Sequence, residues 1–108
     1  LEKYKNSISE IRIEGHTSST GGYFHNMELS QNRSREVFKY WETEASKEKH
    51  SIKWMHQFVT ANGLSYSHPI LDKNGKEDEG KSRRVEFRII TQSEESIKSI
   101  IEKLNDWK

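Results

Sequence analysis

The sequence predicts an α+β fold, a two-layer α/β sandwich in which helices pack on one face of a small mixed sheet. Residues 10–14 and 85–90 alternate apolar and polar side chains, as strands with one buried face do. Between them, residues 30–46 repeat apolar or small side chains at the i, i+3, i+4, i+7 spacing of a helix. Strands separated by helices favour two layers around one core. A chain of 108 residues is long enough for a single core, so we predict one domain that covers residues 1–108.

The first strand is expected to lie between a helix end and a loop. Residues 1–9 have the pattern of the last turn of a helix followed by a turn. The alternation over 10–14 directs Ile11 and Ile13 to the core and the charged side chains to solvent. We expect Gly15 to end this strand and residues 16–28, with their run of Ser, Thr and Gly, to form a loop.

The first long helix is predicted to begin after Ser30, a favourable N-cap, and to end near residue 46. Its buried stripe consists of Ser34, Val37, Phe38 and Trp41. This start places Arg33 in the first turn, where unpaired backbone N–H groups already carry partial positive charge. A cation is unfavourable there, which indicates an anionic partner such as a ligand carboxylate.

The second half of the chain predicts further helices and strands of shorter length. A short helix over residues 47–55 precedes a strand over 58–61 and a polar loop over 65–82. After the strand at 85–90, Ser93 is a suitable N-cap for a final helix. The side chains that this helix is expected to bury are Ile97, Ile100, Ile101 and Leu104.

Composition excludes several classes of function. Eighteen basic and seventeen acidic residues give a net charge of +1 without a dense basic block, which argues against nucleic acid as a partner. The absence of cysteine excludes disulfides and thiolate metal sites. No run approaches the roughly 20 apolar residues of a membrane span, and no signal-peptide pattern opens the chain. Because the chain does not begin with Met, we expect a fragment with a membrane or targeting segment upstream.

Histidine spacing predicts no metal site, and no cofactor is expected. His50 and His56 are six residues apart, which does not bring them to one helix face. His16, His25 and His68 lie in predicted loops, where no spacing rule indicates convergence. A Ser18 nucleophile with His16 as base lacks a third orienting carboxylate, so no catalytic residue is predicted.

Three ordered motifs resemble the OmpA-like peptidoglycan-binding family. Gly15-His16-Thr17, followed by Asn26, Leu29-Ser30 and Arg33, is similar to that family's GHTD turn and N-x-x-L-S-x-x-R-A helix. Residues 61–70 are similar to its A-x-G-x-G-x-x-x-P-[IL] stretch, and residues 82–87 to its N-R-R-V-E strand entry. The resemblance implies an OmpA-C-like sandwich. The family's opening strand and most of its first helix have no counterpart here, which again indicates a fragment of a larger envelope protein.

The resemblance implies a non-catalytic domain that binds the peptide stem of the bacterial cell wall. In that family an aspartate of the GHTD turn pairs with the ammonium of diaminopimelate, and the L-S-x-x-R arginine binds its carboxylate. Arg33 occupies the arginine position, whereas Ser18 stands at the aspartate position. Because a hydroxyl cannot neutralise an ammonium, the change is expected to weaken binding by about 1.5–3 kcal/mol, or about ten- to a hundredfold.

The candidate ligand-binding residues are Thr17, Ser18, Asn26, Leu29, Arg33, Arg83 and Arg84. All except Leu29 have an alternative structural explanation, which for Arg33 is a surface arginine paired with Glu36 or Glu28. Thr17 and Ser18 also suit a capped turn, and Asn26 suits a side chain that fixes the loop by bonding its backbone. Arg83 and Arg84 precede a strand and must point to opposite faces. Either one of them lies beside the ligand carboxylate, or both are solvated charges that pair with acids such as Glu86. We expect His16 to bond the loop backbone.

The implied partner is the peptidoglycan stem peptide, in the bacterial periplasm, with membrane contact only through a segment outside this chain. An upstream membrane helix would make the parent protein similar to the stator-type members of the family, found in flagellar motors and anti-phage systems, for which a homodimer is plausible. The alternative is a degenerate domain that no longer binds muropeptide because of Ser18. It would act in protein interaction or assembly, through the long segment at residues 42–56.

Overall fold

A computed structural model describes residues 7–92 and 101–104 of the protein. The described elements are, in chain order, β1 (Ile8–His16), α1 (Tyr23–Ala45), α2 (Lys49–Phe58), β2 (Val59–Gly63), α3 (Glu79–Ser82) and β3 (Arg84–Thr91). Their strands form one mixed sheet of order β2-β1-β3, in which β1 is parallel to β2 and antiparallel to β3. The predicted α+β architecture with a small mixed sheet is confirmed.

The hydrophobic core is centred on β1, the middle strand. Its side chains Ile8, Ile11 and Ile13 are buried together with Met55 of α2 and Val59 of β2. The predicted stripe of α1 faces this cluster through the half-buried side chains of Val37, Phe38 and Trp41. The core therefore joins both long helices to one face of the sheet.

Helix α1 approaches the ends of β1 and β2 closely because small residues line the contact. Ser34 is fully buried, and its hydroxyl donates to the carbonyl oxygen of Asn62 at 2.6 Å. A Cβ atom at Gly15 would lie 2.6 Å from the Ser34 hydroxyl oxygen, and one at Gly63 would lie 2.6 Å from the amide nitrogen of Gln31. This contact fixes the part of α1 that bears Arg33 against the loop that follows β1.

Strand β1 is longer than predicted at both ends. It begins at Ile8 and includes His16, so the turn expected for residues 7–9 and the end expected at Gly15 were wrong. Residues 1–6 of the predicted helix end lie outside the described part of the chain. Glu14 is also buried, at 7% exposure, against the expectation that the charges face solvent. The reason is that β1 is flanked by a neighbouring strand on both edges.

Helix α1 begins well before the predicted Ser30 cap. Its N-cap is Gly22, which supplies no side-chain bond, and Tyr23 is the first helical residue. Ser30 is instead buried, and its hydroxyl donates to Met27 O at 2.9 Å and accepts from Ser65 N at 3.0 Å. Arg33 consequently lies nearly three turns from the helix start. The predicted proximity of Arg33 to unpaired helix amides was wrong.

The later elements follow the prediction with shifted boundaries, except that α3 forms within the segment 65–82 predicted as a polar loop. Helix α2 is capped by Glu48, whose carboxylate accepts from the backbone N–H groups of His50 and Ser51. Residues 101–104 are helical, but Ile101 and Leu104 are 51% and 59% exposed. Their expected burial was wrong, because no element in the described residues covers them. Ser93, Ile97 and Ile100 lie outside the described ranges. Among residues 7–92 and 101–104, no helix has the length and apolar character that crossing a membrane requires.

Candidate functional site

The loop after β1, residues 17–22, is held in place by bonds to three other parts of the chain. Thr17 N donates to Ser65 O at 2.9 Å. The Ser19 hydroxyl donates to a Glu77 carboxylate oxygen at 2.7 Å. Asn26, in the first turns of α1, donates its side-chain amide to Thr20 O at 2.9 Å and to Gly22 O at 3.1 Å. The loop therefore presents its side chains to α1 in a fixed arrangement.

An open recess of about 190 Å³, which we call the loop recess, lies between this loop, α1 and the start of β3. It brings together six of the seven predicted ligand-binding residues, although they come from distant parts of the sequence. Its lining consists of Thr17, Ser18, Thr20, His25, Asn26, Leu29, Arg33 and Arg83. Two guanidinium groups and no carboxylate are among these residues, so the recess favours an anion.

Several polar side chains of the loop recess lack partners within the described residues, and two of them, Arg33 and Thr17, are the most informative. The half-buried side chain of Arg33 makes neither a hydrogen bond nor an ion pair there. The Thr17 hydroxyl is buried, at 2% residue exposure, and has no hydrogen-bond partner. Because an unsatisfied buried polar group costs free energy, a ligand that bonds the Thr17 hydroxyl would offset that cost. The Arg33 guanidinium is free to pair with an anion. Ser18, 4% exposed, adds a further hydroxyl.

Glu79 of α3 lies at the rim of the loop recess. Its carboxylate accepts a hydrogen bond from the Thr20 hydroxyl and lies 3.9 Å from a guanidinium nitrogen of Arg83. The Arg83 contact is long and exposed on both sides, so it is a weak ion pair. Among the described residues, Glu79 thus supplies a carboxylate that contacts two residues of the recess lining, Thr20 and Arg83. The Asp72 and Asp78 side chains instead accept backbone N–H groups within their own turns.

Arg84 is the one predicted residue that does not line the loop recess. Its guanidinium donates to Glu86, to Ser82 O at 3.1 Å and to His68 O at 3.2 Å. The two consecutive arginines therefore point to opposite sides, as the strand entry predicted, and only Arg83 faces the site. Asn26 lines the recess, yet its amide nitrogen bonds the loop backbone, which is the alternative considered from the sequence.

Thr20, His25 and Glu79 were missed as site residues. Thr20 and His25 line the recess, and Glu79 is at its rim. None of them belongs to a recognisable motif, and their positions depend on where α1 and α3 begin. A helix start at Tyr23 would have placed His25, Leu29 and Arg33 in one i, i+4, i+8 row along the helix surface.

His16 does not bond the loop backbone, and that expectation was wrong. It is 2% exposed, and neither ring nitrogen has a hydrogen-bond partner within the described residues. Burial lowers the pKa of His16 below its usual value, and the nearby positive charge of Arg84 acts in the same direction. The imidazole is therefore neutral at pH 7, and its 3.8 Å separation from Glu86 is not an ion pair. Together with Glu14, these side chains form a second polar cluster, away from the loop recess.

Comparison with known proteins agrees with the geometry. A sequence model of the OmpA family matches residues 1–83. The chain is 44% identical over 110 residues to Zorya protein ZorB from Escherichia coli. That alignment covers 94% of this chain and 46% of the relative, so the chain spans about half the length of the curated protein it matches.

Proposed function

Because the chain belongs to the OmpA family, we propose that it is a non-catalytic peptidoglycan-binding domain that attaches an envelope protein to the cell wall. The observation that supports this proposal is the loop recess, in which Arg33 has no partner among the described residues. A guanidinium held open by its surroundings is suited to bind a carboxylate in a bidentate manner.

The ligand we propose is the diaminopimelate-containing stem peptide, whose ammonium and carboxylate groups, attached to one carbon atom, would contact different residues of the loop recess. Its carboxylate would bind Arg33 and accept a hydrogen bond from the Thr17 hydroxyl. Its ammonium would lie at the rim, near Glu79, because the recess lining itself offers no carboxylate. Arg83, which is more exposed and lies beside Glu79, would add a second positive charge for the carboxylate.

The alternative is a degenerate domain that serves assembly rather than muropeptide binding. Ser18 favours it, because a neutral hydroxyl occupies the position of the family's aspartate and is itself 4% exposed. The segment at residues 42–56 would then be the interaction surface. Trp41 beside this segment and Trp54 within it pack against the core cluster, so the exposed polar residues of the segment would have to make the contact.

The parent protein we propose is a stator-type envelope protein that is related to Zorya protein ZorB over this domain. We place this domain in the periplasm, tethered by a segment outside this chain and able to act as a homodimer. The relative is about twice as long as the matched region, which leaves room for such a segment in a protein of that length.

The decisive experiment is retention by insoluble peptidoglycan. We expect the purified chain to sediment with peptidoglycan and the Arg33→Ala variant to remain in the supernatant. Arg35→Ala is the matched control, because Arg35 is an exposed arginine on the same helix that does not line the loop recess. If wild type and Arg33→Ala sediment equally, or if neither does, the proposed wall binding is wrong.

An NMR titration separates the proposal from its alternative. With a soluble stem peptide that contains diaminopimelate, we expect shifts at residues 16–33, at Arg83 and at Glu79, and none over residues 42–56. A protein whose loop recess gives no response to millimolar peptide would be the degenerate domain.

A further inference from the structure

A second polar cluster lies on the sheet, outside the loop recess. Glu14 and His16 are two residues apart on β1 and share one face, opposite to the face that Gly15 presents to α1. The antiparallel register pairs Glu14 with Glu86 and His16 with Arg84. Glu14, His16 and Glu86 each place one potential metal-binding atom within 4.8 Å of the others.

The histidine of this cluster has unused hydrogen-bonding capacity. His16 is 2% exposed, and within the described residues neither Nδ1 nor Nε2 has a partner. Its Nε2 lies 3.8 Å from Glu86 Oε2, which is too far for a hydrogen bond. A buried imidazole without partners is costly, and a ligand bound to one of its nitrogens would offset that cost.

The surrounding charges favour a cation. Glu14 is 7% exposed, and no cationic group in the described residues lies within ion-pair distance of its carboxylate. Arg84, a positive charge beside the cluster, is bound to Glu86 Oε1, Ser82 O and His68 O. This arrangement leaves Glu86 Oε2 directed at His16. Arg12 also lies near Glu14, but its charge is offset by Glu10, whose carboxylate is 3.2 Å away. The two carboxylates and Arg84 give the cluster an excess of one negative charge.

We propose that Glu14, His16 and Glu86 form a binding site for a divalent transition-metal ion of the zinc type. One imidazole nitrogen and two carboxylate oxygens are ligands that Zn²⁺ accepts, with water in a fourth position. Ca²⁺ and Mg²⁺ are disfavoured because they require more oxygen ligands and bind imidazole poorly. The Glu86 side chain is 49% exposed, so it can move toward the ion and leaves an entry path from solvent.

The test is calorimetric titration of the 108-residue chain with Zn²⁺ alone, after removal of metals with a chelator. We expect one ion per chain, with affinity at least about tenfold weaker in Glu86→Gln and lost in His16→Gln. Glu86 is exposed, so Glu86→Gln tests the site even if His16→Gln fails to fold.

The matched control is His56→Gln. His56, like His16, has a carboxylate close to its ring: its Nε2 atom lies 2.8 Å from Glu42 Oε2. We expect His56→Gln to bind Zn²⁺ like wild type, and the ring nitrogens of His16 to shift in NMR spectra when Zn²⁺ is added. Absence of saturable binding, equal affinity in Glu86→Gln, or loss of binding in His56→Gln would overturn the proposal. The Zn²⁺ affinities from calorimetry and the NMR shifts of His16 do not depend on whether the chain binds peptidoglycan.

Discussion

Arg33 is available to a ligand because no acidic residue lines the loop recess, and not because of its place in the helix. In the middle of α1 it gains nothing from the helix end, and no residue lining the loop recess carries a negative charge. The acid at the rim, Glu79, is engaged with Thr20 and weakly with Arg83. A carboxylate that enters the recess would therefore meet an unpaired guanidinium.

Restoring the family's aspartate is expected to strengthen binding. In Ser18→Asp the new carboxylate would pair with the ligand ammonium, so we expect the stem peptide to bind about ten- to a hundredfold more tightly. Calorimetric titration of wild type and variant measures this difference. Ser18→Asn is the control, since it has nearly the same shape without the charge. An equal gain in Ser18→Asn would mean that shape, and not charge, limits affinity.

Gly15 is expected to accept a side chain only at a cost in stability. A Cβ there would lie 2.6 Å from the Ser34 hydroxyl and still closer to the Ser30 carbonyl oxygen, so α1 would have to move away from the sheet. We expect Gly15→Ala to lower the free energy of unfolding by about 1–3 kcal/mol, measured by urea denaturation. Gly80→Ala is the control, because its Cβ would meet only Asp78 at an ordinary 3.6 Å. Equal stabilities of the two variants would contradict this account of the helix–sheet contact.

At the scale of elements, sequence patterns predicted the strands better than the start of α1. Alternation located β1 and β3 because it follows directly from burial of one sheet face. The helix start was misplaced because serine serves both as a cap and as a small packing residue, and Ser30 serves in the second way. Nothing in the apolar pattern of residues 23–29 distinguishes a helical turn from a loop.

The N-terminus of α2 is stabilised by the carboxylate of Glu48, which can be protonated by lowering the pH. Hydrogen bonds from His50 and Ser51 lower the pKa of Glu48 from 4.5 to about 2. The depressed pKa means that Glu48 stabilises the fold fully above about pH 4.5 and loses this effect as the pH falls toward 2. We expect Glu48→Gln to have a lower thermal midpoint than wild type at pH 7, with the gap closing near pH 2.

Thermal unfolding followed by circular dichroism at several pH values measures this gap. Glu28→Gln, which removes an exposed carboxylate on α1 away from any cap, is the control for loss of a surface charge. A gap between wild type and Glu48→Gln that stayed constant down to pH 2 would show that the cap acts by shape alone.

At the scale of the whole molecule, the two candidate sites differ in how far the sequence could predict them. The loop recess was predictable because motif resemblance supplied long-range information that joined Ser18, Arg33 and Arg83. The cluster of Glu14 and Glu86 depends on the exact pairing of β1 with β3, which neither spacing nor composition determines. A shift of that register by one residue would place the two carboxylates on opposite faces.

The balance of charge over the molecule predicts how binding depends on salt. The net charge is +1, and the loop recess contains two cations, one of them already near Glu79. Stem-peptide affinity should therefore fall only a few-fold between about 50 and 200 mM salt, whereas nucleic-acid binding through many phosphate contacts falls about 10³–10⁵-fold. Calorimetric titrations at both salt concentrations test this, with a DNA duplex as the comparison ligand, for which we expect no binding. A steep loss of peptide affinity would mean that an extended charged surface, and not the recess, binds the ligand.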